Sequence, residues 1–218
     1  MLIKRNLLLF FRDKANVLFS LLAVFIIIGL YVLFLGNMME ASLHEAVGYD
    51  SDKIAVVMAS LTLAGMIAAA SVTSCLGALN ISVADKYSAA KDFLTSPVSR
   101  GKLTLSYVLG SGVVGMIITL AALLLSETYI MANGGTAPVL IDCARLLLTA
   151  VLSVSCGNAI VFFIIVFIKS HSAFTALSTI IGTLIGFLMG IYIPIGQLPI
   201  GVQWIIKCFP MTHASSLL

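Results

Sequence analysis

Five stretches of this chain are apolar for long enough to cross a lipid bilayer: Val17 to Gly36, Ile54 to Ile81, Leu103 to Met131, Val139 to Ile168 and Ala173 to Ile193. Each offers at least the roughly 20 residues that a helix needs to traverse about 30 Å of hydrocarbon. A segment in hydrocarbon must satisfy its own backbone hydrogen bonds, and long blocks without alternating polarity do so as helices rather than barrel strands. The expected fold class is an all-α integral membrane protein, one bundle over residues 1–218 with five visible transmembrane helices. Composition agrees, since only 10% of residues are charged where a soluble domain carries about 25%.

The connections fix the orientation. Lys4, Arg5, Arg12, Lys14, Lys86, Lys91, Arg100, Lys102 and Lys169 fall on one side of the blocks, whereas the alternate side holds only Lys53, Arg145 and Lys207 beside Glu40, Glu45, Asp50, Asp52, Glu127 and Asp142. By the positive-inside rule the N-terminus is cytoplasmic. The start "MLIKR" resembles the basic lead of a signal peptide, but the apolar segment after it is too long and lacks a small-x-small cleavage site, so an uncleaved anchor is expected. Residues 1–16 read as an interfacial helix on the cytoplasmic leaflet, with the chain turning into the membrane at Asn16; a plain extension of the first span is the alternative.

At the other end, Pro194, Pro199 and Pro210 bracket an apolar stretch too short to span. Residues 194–212 are therefore expected to form an outer re-entrant or interfacial hairpin, with Trp204 anchoring it at headgroup level. The sequence ends on the outer side, as though a sixth span were missing.

Chemistry is conspicuous by its absence from the sequence. His44, His171 and His213 show no metal-ligand spacing, no serine sits in a G-x-S-x-G context, and no carboxylate or cation lies near the middle of a block. The deepest polar groups are Ser, Thr and Asn158, and Asp142 and Arg145 are spaced to pair near the outer boundary. "SRGKL" does not make a phosphate-binding loop, because Ser96 stands where the first glycine belongs and Leu103 where Ser or Thr belongs. Of the cysteines, Cys75 and Cys156 lie inside apolar runs, while Cys143 and Cys208 share the outer side; thiols are the default and a bridge between the latter two is the alternative. No cofactor and no nucleic acid is expected to bind. Gly182, Gly186 and Gly190 recur every fourth residue, giving a helix face that another backbone can approach closely.

Against this background, residues 82 to 103 hold Asp85, Lys86, Lys91, Asp92, Arg100 and Lys102 between two apolar blocks. Val83, Tyr87, Ala90 and Leu94 fall on one stripe of a helix, Ser82 and Asp85 resemble a capping box, and Pro97 ends the helix near Ser96. A short cytoplasmic amphipathic helix is the expected element, with a solvated loop as the alternative.

The amphipathic "IKRNLLLFFRDK", the cytoplasmic "ADKYSAAKDFLTSPVSRGKL" and the Pro-bracketed "IPIGQLPIGVQWIIKCFP" followed by "MTHASSLL" stand in the order found in the membrane-spanning permease subunits of ABC-2 type exporters, which the chain resembles over nearly its whole length. The resemblance implies six spans, a dimer with a second permease copy or a homologous permease, and a separate ABC ATPase that carries ATP and magnesium. Carried over, Leu2 to Phe11 would be the connecting helix, residues 82–102 the coupling loop and Leu198 to Phe209 the outer re-entrant segment. Asp85, Lys86, Tyr87, Ala90, Lys91, Asp92 and Leu94 would form the ATPase-coupling helix, although Ala84-Asp85-Lys86 departs from the Glu-rich start of many relatives. The implied function is outward transport across a cell membrane, bacterial cytoplasmic in type; a non-transporting immunity or scaffold protein is the alternative. Within the exporter reading, Tyr87, Ala90 and Leu94 would pack against the ATPase, with the charged residues at the rim setting orientation.

Overall fold

The computed structural model describes residues 2–30, 33, 51–88, 98–132, 140–168, 170–189 and 199–207. These form helices α1 (Leu2–Arg12), α2 (Lys14–Leu30), α3 (Ser51–Ser88), α4 (Arg100–Ala132), α5 (Leu140–Phe167), α6 (His171–Leu188) and α7 (Ile200–Lys207), with no strand among the described residues. Four of them are long and apolar enough to cross a membrane, over Ala64–Tyr87, Arg100–Met131, Cys143–Phe167 and His171–Leu188. They overlap the second to fifth apolar blocks. The first block is represented by α2, and residues 31, 32 and 34–36 of that block lie outside the described residues.

The chain is an all-α membrane bundle organised around α3. That helix packs against α1, α2, α4, α5 and α6, and it can do so because its buried surface is built from small residues: Ala64, Ala68, Ala69, Ala70, Ser71, Ser74, Cys75 and Ala78. In hydrocarbon there is no water to expel between helices, so close van der Waals approach through small side chains does the work. Larger side chains fill the gaps at intervals, with Met66, Leu79 and Val83 buried on α3 and Val154, Val161 and Ile165 meeting them from α5. Gly115 of α4 marks the tightest crossing, since a Cβ placed there would lie 2.9 Å from Cys75 Sγ and 3.0 Å from Val154 Cγ1.

Two sets of interior polar side chains join neighbouring helices. Ser71 and Ser153 hydroxyls lie 2.8 Å apart, joining α3 to α5. Ser111 donates to Asn158 Oδ1 at 2.6 Å, and Asn158 Nδ2 donates to the Val108 carbonyl at 2.8 Å, joining α4 to α5. Asn158 thus has the ordinary role of a buried membrane amide.

Two local expectations need correction. The chain turns not at Asn16 but at Asp13, whose carboxylate accepts from the backbone N–H groups of Ala15 and Asn16 at 3.1 and 3.2 Å and so caps the start of α2. The bend is sharp: Phe10 and Ser20 both approach the same spot at Gly77, although ten residues of straight helix would separate them by about 15 Å. The second correction concerns Ser82, which does not begin a new helix. The helix α3 runs unbroken to Ser88, Val83 is 2% exposed in its core face, and the Ser82 hydroxyl donates back to the Leu79 carbonyl at 2.6 Å. No proline or glycine interrupts the chain between Ile81 and Ser88, so nothing stops the helix there. At 38 residues α3 is about 57 Å long, roughly twice the thickness of hydrocarbon.

The close crossing at Gly115 generates a test. Gly115→Ala should cost about 1 to 3 kcal/mol through overpacking and Gly115→Leu should cost more, both read as a fall in the unfolding midpoint of the purified protein in detergent. Gly182→Ala, whose Cβ meets nothing within 4 Å, should leave that midpoint where it is.

Candidate functional site

The charged ends of α1, α3 and α4 and the α5–α6 junction gather at one end of the bundle, the end that carries most of the cations. The central contact is between Arg5 and Asp85. Arg5 Nη1 donates to Asp85 Oδ2 at 2.9 Å and Arg5 Nη2 to Asp85 Oδ1 at 3.0 Å, a two-pronged guanidinium–carboxylate pair across 80 residues of sequence. Tyr107 of α4 donates to the same carboxylate, Oδ2, at 2.6 Å. Beside this pair, Asn6 Nδ2 donates to the Ser106 carbonyl at 3.2 Å, and Asn6 itself is buried. Three helices are therefore fastened at one carboxylate.

Local sequence explains why α1 is available for this. Its residues alternate so that Asn6 and Phe10 face the bundle, both buried, while Leu8, Leu9 and Phe11 are exposed. Phe10 packs with Ala78, Val114 and Ile118, which seats α1 against α3 and α4 one turn beyond the ion pair. The Arg5 guanidinium is held further above its ordinary value, first by the hydrogen bond to Asp85 and against the opposing effect of burial. A cation whose value is raised on folding stabilises the fold at every pH below its unfolded value and loses that contribution only as pH rises through the folded value. For a guanidinium that window lies beyond the range in which the protein is handled.

A second fastening lies one residue further along α3. Lys86 Nζ and the Tyr87 hydroxyl both donate to the Ile168 carbonyl, at 3.2 and 3.3 Å. Ile168 follows the last residue of α5, where carbonyls lack helical partners and a cation is favoured by the helix dipole. Ser170 then caps α6 by accepting from the Ala173 N–H at 3.1 Å. The end of α3 thus grips the turn that joins α5 to α6.

Of the residues singled out from sequence, Asp85, Lys86 and Tyr87 are all at this end. Asp85 and Lys86 point to partners within the chain, and Tyr87 divides itself between the Ile168 carbonyl and the surface, with 46% of its area exposed. Ala90, Lys91, Asp92 and Leu94 lie outside the described residues, as does Gly190. The glycine face divides: Gly182 is exposed with open space beside it, whereas Gly186 is buried. Trp204 stands on the surface of α7, 69% exposed, while Ile206 beside it is buried. Cys75, Cys143 and Cys156 are thiols, Cys208 and the side chain of Asp142 lie outside the described residues, and no cluster of metal-binding side chains occurs among the described residues. Sequence reading missed Arg5, Asn6 and Tyr107 as partners of the α3 end. The only local signal was Asn6, a polar residue on the apolar face of an amphipathic helix.

Four span-sized apolar helices, packed together and fastened to α1 at the cation-rich end, define a polytopic membrane protein. The family model of the ABC-2 type transporter matches residues 1–218, so the chain belongs to that family. It is thereby a multi-pass permease subunit of an ABC transporter, the non-enzymatic partner of an ABC ATPase. No curated protein and no solved structure gives a significant match.

The ion pair predicts a measurable coupling. Arg5→Ala and Asp85→Ala should each lower stability by about 1 to 3 kcal/mol, and the double variant should lose much less than their sum. Unfolding midpoints of the four proteins in detergent give the coupling energy directly. Between pH 6 and 9 the Arg5 contribution should not change.

Proposed function

We propose that this permease carries substrate outward, with ATP and magnesium handled entirely by a cytoplasmic ATPase that docks on residues 85 to 94. The observation that carries this reading is the double fastening of the α3 end. A force applied to the segment just beyond Ser88 acts on a long, continuous helix whose last two turns hold α1 and α4 through Asp85 and the α5–α6 junction through Lys86 and Tyr87. Docking there moves several helices together rather than one loop. The amphipathic stripe of Tyr87, Ala90 and Leu94 supplies the packed face of the contact, and Lys91 and Asp92 set its orientation.

In this reading residues 1–16 are the connecting helix and residues 194–212 the outer re-entrant hairpin, with Trp204 at headgroup level. The protein works as a dimer in a cell membrane, bacterial cytoplasmic in type. Helix α6 is the least covered of the four span-sized helices, with Ile180, Gly182 and Leu184 exposed, and it supplies a face for the second permease. Gly186, being buried within its own chain, serves intramolecular packing instead.

Changing Tyr87 and Leu94 together to Ser should reduce co-purification of the ATPase at least tenfold and abolish export, with permease abundance in the membrane near normal. Tyr87→Phe separates the two roles of that ring, because it keeps the apolar face and loses only the bond to Ile168. A double variant that retains its ATPase and exports normally refutes docking at this segment and leaves it a solvated loop. For the dimer, Gly182→Leu should weaken association of two permeases, measured by cross-linking in membranes, without lowering the unfolding midpoint of the single chain.

A further inference from the structure

Between the first turn of α1 and the first three turns of α4 lies a groove of about 410 Å³ whose lining includes Leu2, Ile3, Val98, Lys102, Leu105 and Leu109. We propose that this groove holds an anionic phospholipid of the cytoplasmic leaflet, its phosphate at Lys102 and one acyl chain laid over Leu105 and Leu109. The volume falls within the ~300 to 1,000 Å³ usual for small-molecule sites. The lining has the polarity of a lipid. Lys102, Leu105 and Leu109 stand at i, i+3 and i+7 on one face of α4, so a single helix stripe passes from a cation to hydrocarbon.

Position and charge favour this occupant over others. The groove begins where the apolar span Arg100–Met131 begins, at the level where headgroups give way to chains. From Lys102 to Leu109 is about 10 Å along the helix axis, the depth to which interfacial groups penetrate a leaflet. Lys102 is exposed and makes no ion pair among the described residues, and the exposed Lys4 and Arg100 flank the lining residues Ile3 and Lys102 on their two helices. No carboxylate is among the described lining residues. Ser106, which also lines the groove, already spends its hydroxyl on the Leu103 carbonyl at 2.6 Å, so the ligand is selected by charge and chain rather than by hydrogen bonds to hydroxyls. Basic pockets beside membrane helices on the cytoplasmic side bind anionic headgroups for the same reason. A free phosphate would use Lys102 and leave the aliphatic walls empty.

The test uses the full-length permease with its ATPase, reconstituted in nanodiscs of palmitoyl-oleoyl phosphatidylglycerol and phosphatidylcholine in equal amounts, then released for native mass spectrometry. Wild type should retain phosphatidylglycerol in preference to phosphatidylcholine. Lys102→Gln should cut that retention about fivefold, the loss of one cation's attraction to an anionic surface. Leu109→Trp, which fills the groove and keeps the charge, should also displace the lipid. Lys207→Gln, a cation on the outer side by sequence, should change nothing. Unfolding midpoints equal to wild type certify that each variant is folded. Equal retention of the two lipids, or unchanged retention in Lys102→Gln, overturns the proposal. Displacement of the bound lipid by glycerol 3-phosphate alone, at concentrations that leave bulk lipid intact, likewise overturns it in favour of a simple anion site.

Discussion

Everything in this bundle depends on α3 being thin where it is buried. A helix that touches five others cannot present large side chains to all of them, and the run from Ala64 to Ala78 solves this with ten Ala, Ser, Cys or Gly among its fifteen residues. In water such a helix would gain little from burial, because small side chains remove little apolar area. In lipid the comparison differs, since tails already solvate the helices and only closeness of contact distinguishes protein from lipid as a neighbour. The same closeness makes the interior intolerant, as the 2.9 Å approach at Gly115 illustrates.

The polar groups divide by depth in a way that follows from the cost of charge in hydrocarbon. Deep in the bundle the partners are neutral, Ser71 with Ser153 and Ser111 with Asn158, each able to satisfy itself without separating charge. Full charges occur at the end, where Asp85 is shared by Arg5 and Tyr107. An exposed ion pair of this type contributes little in water, but here the carboxylate is only 12% exposed and accepts three hydrogen bonds. Two-pronged geometry specifies direction as well as proximity, so α1 is fixed in rotation against α3. Lysine at position 5 could supply the charge but not that orientation.

What could be read from the sequence was whatever depends on solvent and chain alone. Hydropathy located the third and fourth blocks to within three residues of their helices and placed the second and fifth on theirs, because the length of a hydrocarbon span is set by the membrane and not by packing. Local signals located the α1–α2 break only to within three residues. Asn16 looked like the turn, whereas Asp13 supplies the cap, and both are plausible capping residues three apart. Ser82 misled in a similar way: Ser followed by Asp resembles a helix start, but burial of Val83 in the core of α3 carries the helix through. The pairing of Arg5 with Asp85, and of Lys86 and Tyr87 with Ile168, was beyond reach. Such contacts join residues about 80 apart, and a single sequence contains no term that links them.

Those long-range contacts also relate the fastenings to the groove. Helix α1 has one face given to α3 and α4 through Asn6, Phe10 and Arg5, and its N-terminal turn forms one wall of the groove through Leu2 and Ile3. Helix α4 likewise offers Tyr107 to Asp85 and, from neighbouring turns, Leu105 and Leu109 to the groove. Any displacement of the α3 end that shifts Asp85 must either break the Arg5 pair or drag α1 with it. The two walls of the groove are themselves tied together, by Asn6 on the Ser106 carbonyl and by Phe10 against Val114 and Ile118, so a force at the α3 end reaches α1 and α4 as one fastened unit.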